Sequence, residues 1–549
     1  MTRSSLLATV ASLMLGGLVW VGLPSSAQGQ TLTDVIRYSG HLPASGGTVM
    51  GQAGAGLSAG IAAPNALFRN PAGLGWMSSS AISGDFAVNR TLNDTRFSTP
   101  DATTSSDRTV SDYRLGSLGG AYSFPTTRGS LVIGVSFHQS NTYERGFGAG
   151  AANRTNSITG TFLPTSNGYE VDGEDLIFDN SRSRIAYEAG AIDFSRSVYD
   201  NGNYPFFQGA NPDAAATDGQ MTLNQQENIT ESGQMNELSF GMATAIAPNV
   251  MIGGGLNIAF GSYTFERFYR ESEVSNLLPP ENPQNPEPPY DPYFLAGTSI
   301  EGFDEMQLEE RIDADLSGVN FRFGLSAEPT DAVRVGVHVE SPTWLTVNEV
   351  YGTEMRTFFD CDFSSGSCVR PGEPFSSGNL TGNEFSYDIR TPWRIGGGLQ
   401  YALDQFTVAG GATIVDWTQA EVSAEDASFT SLNRNIEGAD ATVNTRVGLK
   451  YSSDAFSLRT GVAYQPSVSY QPGPEEPAQS PTDITVQEGQ LFLSAGASFS
   501  ISEKSSLHIN WLQERFDDQF TSYSGPGGST GAEESIRRNR FLIGLTYRP

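Results

Sequence analysis

Large apolar side chains recur at every second position along much of this 549-residue chain, in segments of about ten residues separated by turn residues. Leu131, Ile133, Val135 and Phe137 alternate with Val132, Gly134, Ser136 and His138. Phe321, Phe323 and Leu325 alternate with Asn320, Arg322 and Gly324, and Val333, Val335, Val337 and Val339 with Arg334, Gly336, His338 and Glu340. Phe541, Ile543, Leu545 and Tyr547 repeat the pattern near the C-terminus. A period of two puts one apolar and one small or polar face on a strand, and it is incompatible with a helix. Fourteen such segments are legible, near 81–89, 117–124, 130–138, 236–246, 249–268, 306–327, 332–341, 385–402, 405–417, 440–452, 455–465, 489–502, 505–516 and 536–547. An even number of antiparallel strands suits a closed barrel.

The connections narrow this further, because they alternate in length. The short ones are Pro125 to Gly129, Ala247-Pro248, Glu328 to Asp331, Leu403-Asp404, Ser452 to Asp454 and Glu503-Lys504. The long ones are 90–114, 139–235, 269–305, 342–384, 418–439, 466–488 and 517–535. Short turns on one side and long loops on the other are the signature of a transmembrane β-barrel, and a soluble sandwich has no reason to sort its loops this way. The fold class expected is all-β, a transmembrane antiparallel barrel of about fourteen strands. Residues 276–293 carry seven prolines and, like 472–481, read as loops too polar and Pro-rich to build a core. Stretch 139–235 is long enough for small helices of its own, for instance around 183–197.

Composition fits a barrel better than the several soluble domains that the length alone suggests. Asp and Glu number 61 against 32 Lys and Arg, a net charge of −29, yet charged residues are only 17% of the chain. The acidity excludes non-specific nucleic-acid binding. Lys450 and Lys504 are the only lysines, an acid-rich and Lys-poor balance resembling that of proteins adapted to high salt. Met1 to Ala27 reads as a cleaved secretory signal peptide, with Arg3, an apolar run from Leu6 to Leu23 and the small residues Ser25-Ser26-Ala27. Beyond it no apolar stretch is long enough for a transmembrane helix, so an exported chain that enters a membrane does so as a barrel. With fourteen strands and a long first loop, both termini are expected on the periplasmic side.

Residues 28–80 read differently. Gly46, Gly47, Gly51, Gly54, Gly56 and Gly60 are interspersed with Ala and Ser, ahead of Asn65 and Asn70-Pro71-Ala72-Gly73-Leu74. Small side chains permit close backbone approach, so this segment can pack inside a barrel.

These residues carry a family resemblance. Gly51 to Gly60, Asn65 and Asn70-Pro71-Ala72-Gly73-Leu74 resemble the N-terminal hatch of the outer-membrane long-chain fatty-acid and hydrocarbon transporters, the FadL-like family. Val35-Ile-Arg-Tyr-Ser39 resembles the start of a subgroup often labelled haemin receptors. Thr391-Pro392-Trp393-Arg394 and Asp416-Trp417 look like further family segments. Two departures are the C-terminal Arg548-Pro549, after the usual terminal aromatic at Tyr547, and the length of 139–235. The resemblance divides the chain into a signal peptide (1–27), a hatch in the lumen (28–80) and a fourteen-stranded outer-membrane barrel (81–549) with long extracellular loops at 139–235, 269–305 and 342–384. It implies passive uptake: a hydrophobic small molecule such as a long-chain fatty acid or hydrocarbon enters through the outer loops, binds in the lumen, and leaves when the hatch shifts. Asn70, Pro71, Ala72 and Gly73 would be the hatch motif.

Residue by residue, the candidates are few. Arg322, Arg334, Arg394, Arg446 and Arg459 fall on the lumen face of their strands and could each hold a carboxylate head group, since guanidinium pairs bidentately with carboxylates; the alternative is pairing with acidic lumen residues. His138 and His338 are conceivable haem ligands, but a lone polar-face His is more often structural, and the subgroup label does not imply haem chemistry. Cys361 and Cys368, with six residues between them, are a candidate loop disulfide in an oxidising compartment. Glu301, Asp304 and Glu305 read as a solvated acidic face before a Ca²⁺ site. No hydrolase or phosphate-loop motif is present, and neither an enzyme, a cofactor nor a metal is expected. The partners expected are outer-membrane lipid and a hydrophobic ligand, with the barrel monomeric and no nucleic acid. A second reading is a non-transporting barrel that serves as a structural element or a secretion partner. The two differ in whether the lumen beside the hatch is apolar and ligand-sized or filled by polar side chains.

Overall fold

The structure, a computed structural model, describes residues 32–165, 167–172, 175–194, 207–209, 222–273, 294–295, 298–299, 303–359, 376–425, 427–470 and 484–549. The signal-peptide segment 1–27 and both cysteines, Cys361 and Cys368, lie outside these residues.

Among the described residues, eighteen strand segments form one antiparallel sheet. They make fourteen strands: β1 (Ala81–Ser98), β2 (Thr103–Ser123), β3 (Leu131–Thr142, resumed at Arg145–Asn153), β4 (Leu223–Ala247), β5 (Val250–Glu273), β6 (Phe303–Thr330), β7 (Val333–Glu340, resumed at Trp344–Phe359), β8 (Ser376–Arg390, resumed at Arg394–Leu403), β9 (Phe406–Asp416, extended by Glu421–Ser423), β10 (Ala441–Ser452), β11 (Phe456–Gln465), β12 (Gln490–Ser502), β13 (Ser505–Gly525) and β14 (Gly528–Tyr547). The sheet closes where β1 pairs β14, from Ile82↔Tyr547 to Ser98↔Gly531. Closure joins the first strand to the last, so the sheet's edges meet each other instead of lipid, apart from a gap between β2 and β3.

The alternation sorts as expected. Phe323, Val337 and Ile543 are 60%, 54% and 56% exposed, whereas Arg322, Gly336, His338 and Leu542 point inward and are buried. Outward-turned apolar side chains recur on every strand from β1 to β14 except β13's polar outer half, an apolar band that only a bilayer can satisfy. All fourteen periodic segments coincide with strands, overrunning them by at most one residue at an end, although 385–402 spans the interruption of β8 at 391–393; all six short turns lie at one end together with the start of β1 and the end of β14.

Two of the seven long connections are not loops. Segments 90–114 and 517–535 continue as paired strand to tight turns, with Ser98↔Thr103 and Gly525↔Gly528 as the last pairs. These stretches carry polar residues on both faces because they project beyond the hydrocarbon, so the apolar alternation stops while the backbone ladder does not. Within 139–235, the helix observed is α2 (Ser181–Glu188), capped by the Asn180 side chain on the Ser183 amide at 2.7 Å; residues 195–197 of the expected stretch are not described.

Residues 32–80 occupy the lumen. They begin with α1 (Leu32–Ser39) and continue through short 3₁₀ turns at Gly47–Gln52, Pro64–Phe68 and Pro71–Trp76. The interior is filled in layers. Next to the short turns, Leu67, Leu74 and Met77 pack on Ala121, Val132 and Ala243, and Met50, Leu57 and Phe68 belong to a cluster with Phe492, Leu512 and Leu542. Farther out, Val35, Ile36 and Tyr38 of α1 pack with Tyr143, Tyr263, Val347, Ile389 and Trp417, and α3 (Thr430–Glu437) covers them through Ile436.

The wall accommodates this plug by dispensing with side chains. A Cβ on Gly253 of β5 would lie 2.5 Å from the Ala72 nitrogen, and one on Gly336 of β7 the same distance from the Ser58 carbonyl oxygen. Gly398, Gly448 and Gly496, on β8, β10 and β12, meet Ser58, Gln52 and Gly51 at 2.7, 2.9 and 3.0 Å by the same measure. The small residues expected of 28–80 are thus only half of the close fit.

Candidate functional site

Three features in and around the lumen can bear function: the clasp of the plug at Asn70, a chain of buried charges, and a break in the wall. Asn70 adopts an extended backbone (φ −123°, ψ 94°), and Pro71 opens the following 3₁₀ turn. The Asn70 Oδ1 accepts from the Ala72 amide at 3.2 Å, while Nδ2 lies 2.9 Å from the Ser58 carbonyl oxygen and 3.3 Å from those of Leu325 and Val337. One side chain therefore ties two plug turns to β6 and β7. Ala72 and Gly73 have no space for larger groups: both are buried, and a Cβ on Gly73 would lie 2.5 Å from the Ile61 carbonyl oxygen. Replacing Asn70 with Ala strands this set of polar groups and should cost about 1–3 kcal/mol of plug stability. Faster hydrogen exchange across 64–76, with barrel amides unchanged, is the expected result.

The charges run between plug and wall. Arg322 is fully buried; it binds Glu237 bidentately (Nη1 2.7 Å, Nη2 2.9 Å), Glu340 through Nε at 2.8 Å, and the Leu67 carbonyl of the plug at 3.3 Å. Glu237 also meets His138 Nε2 at 3.0 Å, and Glu340 lies 3.6 Å from both His41 and Arg394. Arg394 donates to the Ser39 carbonyl. Of the five arginines read as lumen-facing, these two pair with acid, as does Arg334, which binds Glu328 and the Gly60 carbonyl and lies over the Trp76 ring. Among the described residues, Arg446 reaches only the Thr413 hydroxyl, at 3.2 Å, and Arg459 only that of Ser498, at 2.6 Å.

The histidines serve as packing and hydrogen-bonding groups. His138 is edge-on to Phe68 with both ring nitrogens engaged, by Glu237 and Ser136. His338 lines a cavity of only about 10 Å³, with no room for a porphyrin. His508 is held by Ser498 and Thr546. Neither candidate haem ligand is therefore in a position to bind haem. Among the described residues no cluster of metal-ligating groups exists, and Glu305 is paired with Arg270.

His41, in the plug, is held neutral. Burial first, then the nearby Arg394, pushes its imidazole down to about 3, against the pull of Glu340. The unfolded segment binds a proton below about pH 6.5 while the folded one does not. Its contribution is complete above pH 6.5 and lost as the pH falls toward 3. Exchange of residues 32–44, corrected for intrinsic rates, should quicken over that interval in the wild type and less so in His41→Gln.

The break lies between β2 and β3. Their ladder runs only from Ser123↔Val132 to Ser117↔His138. Beyond it, β2 pairs β1 alone, and β3, with a register shift between Gln139 and Asn141, pairs β4 alone. The second half of β3 leans over the lumen: Arg145 pairs with Glu534 of β14, and Asn93 of β1 donates to the Gly146 carbonyl at 3.1 Å. Side chains cross the break instead of backbone. Arg114 of β2 reaches Glu144 at 3.0 Å and the Gln234 amide oxygen, and Arg108 donates to the Phe147 and Ile229 carbonyls at 3.3 and 3.2 Å. Behind the break are two adjoining cavities, of about 110 and 20 Å³, which share Leu42, Thr142, Glu514 and Arg538. The larger is lined by Ile36, Leu42, Tyr143, Phe492 and Phe516, and also by Arg37, Arg145, Glu231 and Asp518. On the criterion set by the sequence, the lumen is mixed: a charged layer around Arg322 and Glu340 lies between apolar clusters formed by Leu67 and Leu74 on one side and by α1 on the other.

Arg114, Glu144, Glu237, Glu340 and Arg69 were not among the residues singled out from the sequence. Glu237 is the only charge in the periodic segment 236–246, and it lies in phase with the inward positions Ser239 and Gly241. That was a usable signal for a lumen carboxylate.

No family model matches the chain, and no curated protein does. Among solved structures it is similar to a FadL homologue of Pseudomonas aeruginosa, with 12% identity over 93% of this chain and 99% of that one and a TM-score of 0.49. It is also similar to the toluene transporter TodX of Pseudomonas putida (11% identity, 92% and 99% covered, TM-score 0.47) and the toluene transporter TbuX of Ralstonia pickettii (13%, 92% and 99%, 0.44). At these values the likeness is one of general architecture and decides nothing about substrate.

Proposed function

We propose that the protein is an outer-membrane channel for passive uptake of small hydrophobic molecules such as hydrocarbons or long-chain fatty acids. Residues 32–80 act as its hatch, and Asn70, Pro71, Ala72 and Gly73 as the clasp that holds the hatch to the wall. In this reading residues 1–27 are removed on export, the short turns and both termini face the periplasm, and the long connections face outward. The observation that carries it is the interrupted β2–β3 ladder beside a lumen cavity. A wall that needs only closure would continue that ladder. A break backed by about 110 Å³ of free space gives an apolar molecule a path sideways into lipid without crossing the polar layer around Arg322. The space, about 110 Å³ with both apolar and charged lining, is smaller than the apolar cavity of about 150 Å³ that binds benzene, so an aromatic ring needs a modest widening of it.

The polar layer beside the plug favours the second reading, a non-transporting barrel whose lumen is permanently filled. Mass spectrometry of small molecules retained by the detergent-purified barrel separates the two. The transport reading expects apolar or amphipathic compounds at a defined stoichiometry, displaced by an added hydrocarbon. A barrel carrying none, and protected by none, favours the structural role.

A further inference from the structure

We propose that the small cavity between the plug and strands β7–β10 is a binding site for one small monovalent anion, of halide size, which locks the plug to the wall. The inference is independent of transport. The cavity is lined by Arg69 of the plug, His338 and the carboxylate Glu340 of β7, Arg394 of β8, Thr413 of β9 and Arg446 of β10, among others.

Its charges do not balance. Four guanidinium groups, of Arg69, Arg322, Arg394 and Arg446, are gathered here around two carboxylates, Glu237 and Glu340. Both carboxylates are committed to Arg322, and Arg394 takes a share of Glu340. Arg69 and Arg446 are left without an acidic partner among the described residues. They are 8% and 3% exposed, so water does not compensate them. Arg69 gives Nη2 to the Pro43 carbonyl at 3.1 Å, and both arginines donate to one hydroxyl, that of Thr413, at 3.3 and 3.2 Å, so their donor nitrogens are no farther apart than the sum of those two distances. Two like charges converging on one neutral oxygen in a buried site are unfavourable unless an anion joins them. Burial, and after it the neighbouring Arg446, presses the Arg69 guanidinium well below its ordinary value, against the pull of Glu340; guanidinium stays protonated in proteins, so the positive charge remains at the site.

The donors needed are in place. Arg69 Nε, Arg446 Nε and His338 Nδ1 are buried and lack a hydrogen-bond partner. Three unspent polar groups from the plug, β10 and β7 border one cavity. Its size selects the ligand: about 10 Å³ holds one water-sized species. A halide fits that description, and an amphiphile bearing a hydrocarbon chain does not. The sign is the reverse of the chain's net charge of −29, and the cluster bridges a plug residue, Arg69, to the wall at Thr413.

The test uses the full-length protein in detergent. Crystals grown in bromide should show an anomalous peak between Arg69, Arg446 and His338; a map without one, with a water at that position, overturns the proposal. In solution, exchange chloride for gluconate at constant ionic strength and follow hydrogen exchange of residues 64–76. Chloride at ten times its dissociation constant should slow exchange about tenfold. Arg446→Gln should remove the chloride dependence and leave basal exchange measurable. If that variant does not fold, the wild-type bromide map and chloride titration still decide. Equal exchange in chloride and gluconate, or protection by acetate with none by bromide, refutes a halide site.

Discussion

Arg322→Met should destabilise the protein by about 3–5 kcal/mol, the cost of removing one partner from a buried ion pair. The substitution nearly preserves side-chain volume, so packing is not the cause. Arg322 has no exposed surface and holds both Glu237 and Glu340; without it two buried carboxylates are left beside each other, with His138, His41 and Arg394 as their remaining partners. The plug loses an anchor at the Leu67 carbonyl in the same step. Arg322→Lys should recover little, because an ammonium cannot bind Glu237 bidentately and reach Glu340 as well. The triple variant Arg322→Met, Glu237→Gln, Glu340→Gln should recover much of the loss, because it removes the stranded charges along with the cation. Denaturant midpoints of the refolded barrel in lipid bilayers measure all three. A single variant as stable as the wild type would show that the layer is not the electrostatic unit described.

The second large effect concerns transport. Arg114 and Glu144 face each other across the β2–β3 break at 3.0 Å, where side chains replace backbone bonds. Cysteines at these two positions, in a background with Cys361 and Cys368 replaced by Ser, can be joined by a short bifunctional thiol reagent. Joining them should reduce uptake of a small apolar molecule to the level of cells without the protein. Either single cysteine, treated in the same way, should leave uptake intact, since it blocks no path. Arg114→Ala alone should speed uptake or leave it unchanged, because it removes a bridge across the opening.

Much of this fold was legible in the residues, for a physical reason. Lipid makes the outer face uniform, so Val335, Val337 and Val339 announce strand, register and orientation at once. The same reason explains the failures. At 90–114 and 517–535 the strands leave the bilayer, and the pattern ends although pairing continues. The periodic segment at 130–138 stops at His138, where β3 parts from β2 and turns over the lumen. The end of the alternation thus marked the break, but it reads like any strand ending in a loop.

The lumen was less legible because its contacts are long-range. Arg322 and Glu340 stand opposite each other on one hairpin, and the short turn between β6 and β7 fixes that register. Glu237 reaches Arg322 from β4, and Arg69 reaches Thr413 from the plug, pairings that no local pattern encodes. The wall glycines make the same point: Gly253 and Gly336 look like unremarkable small residues of an inward face until the plug backbone lies against them.

In the function proposed, the barrel passes small apolar molecules downhill into the membrane. Its most direct test is uptake of a radiolabelled monoaromatic hydrocarbon by cells that lack their own channel, with and without the protein, at equal surface expression. Initial rates should rise with external concentration, need no energy source, and drop to background when positions 114 and 144 are cross-linked. Rates equal to those of cells without the protein, or undiminished by the cross-link, would contradict it.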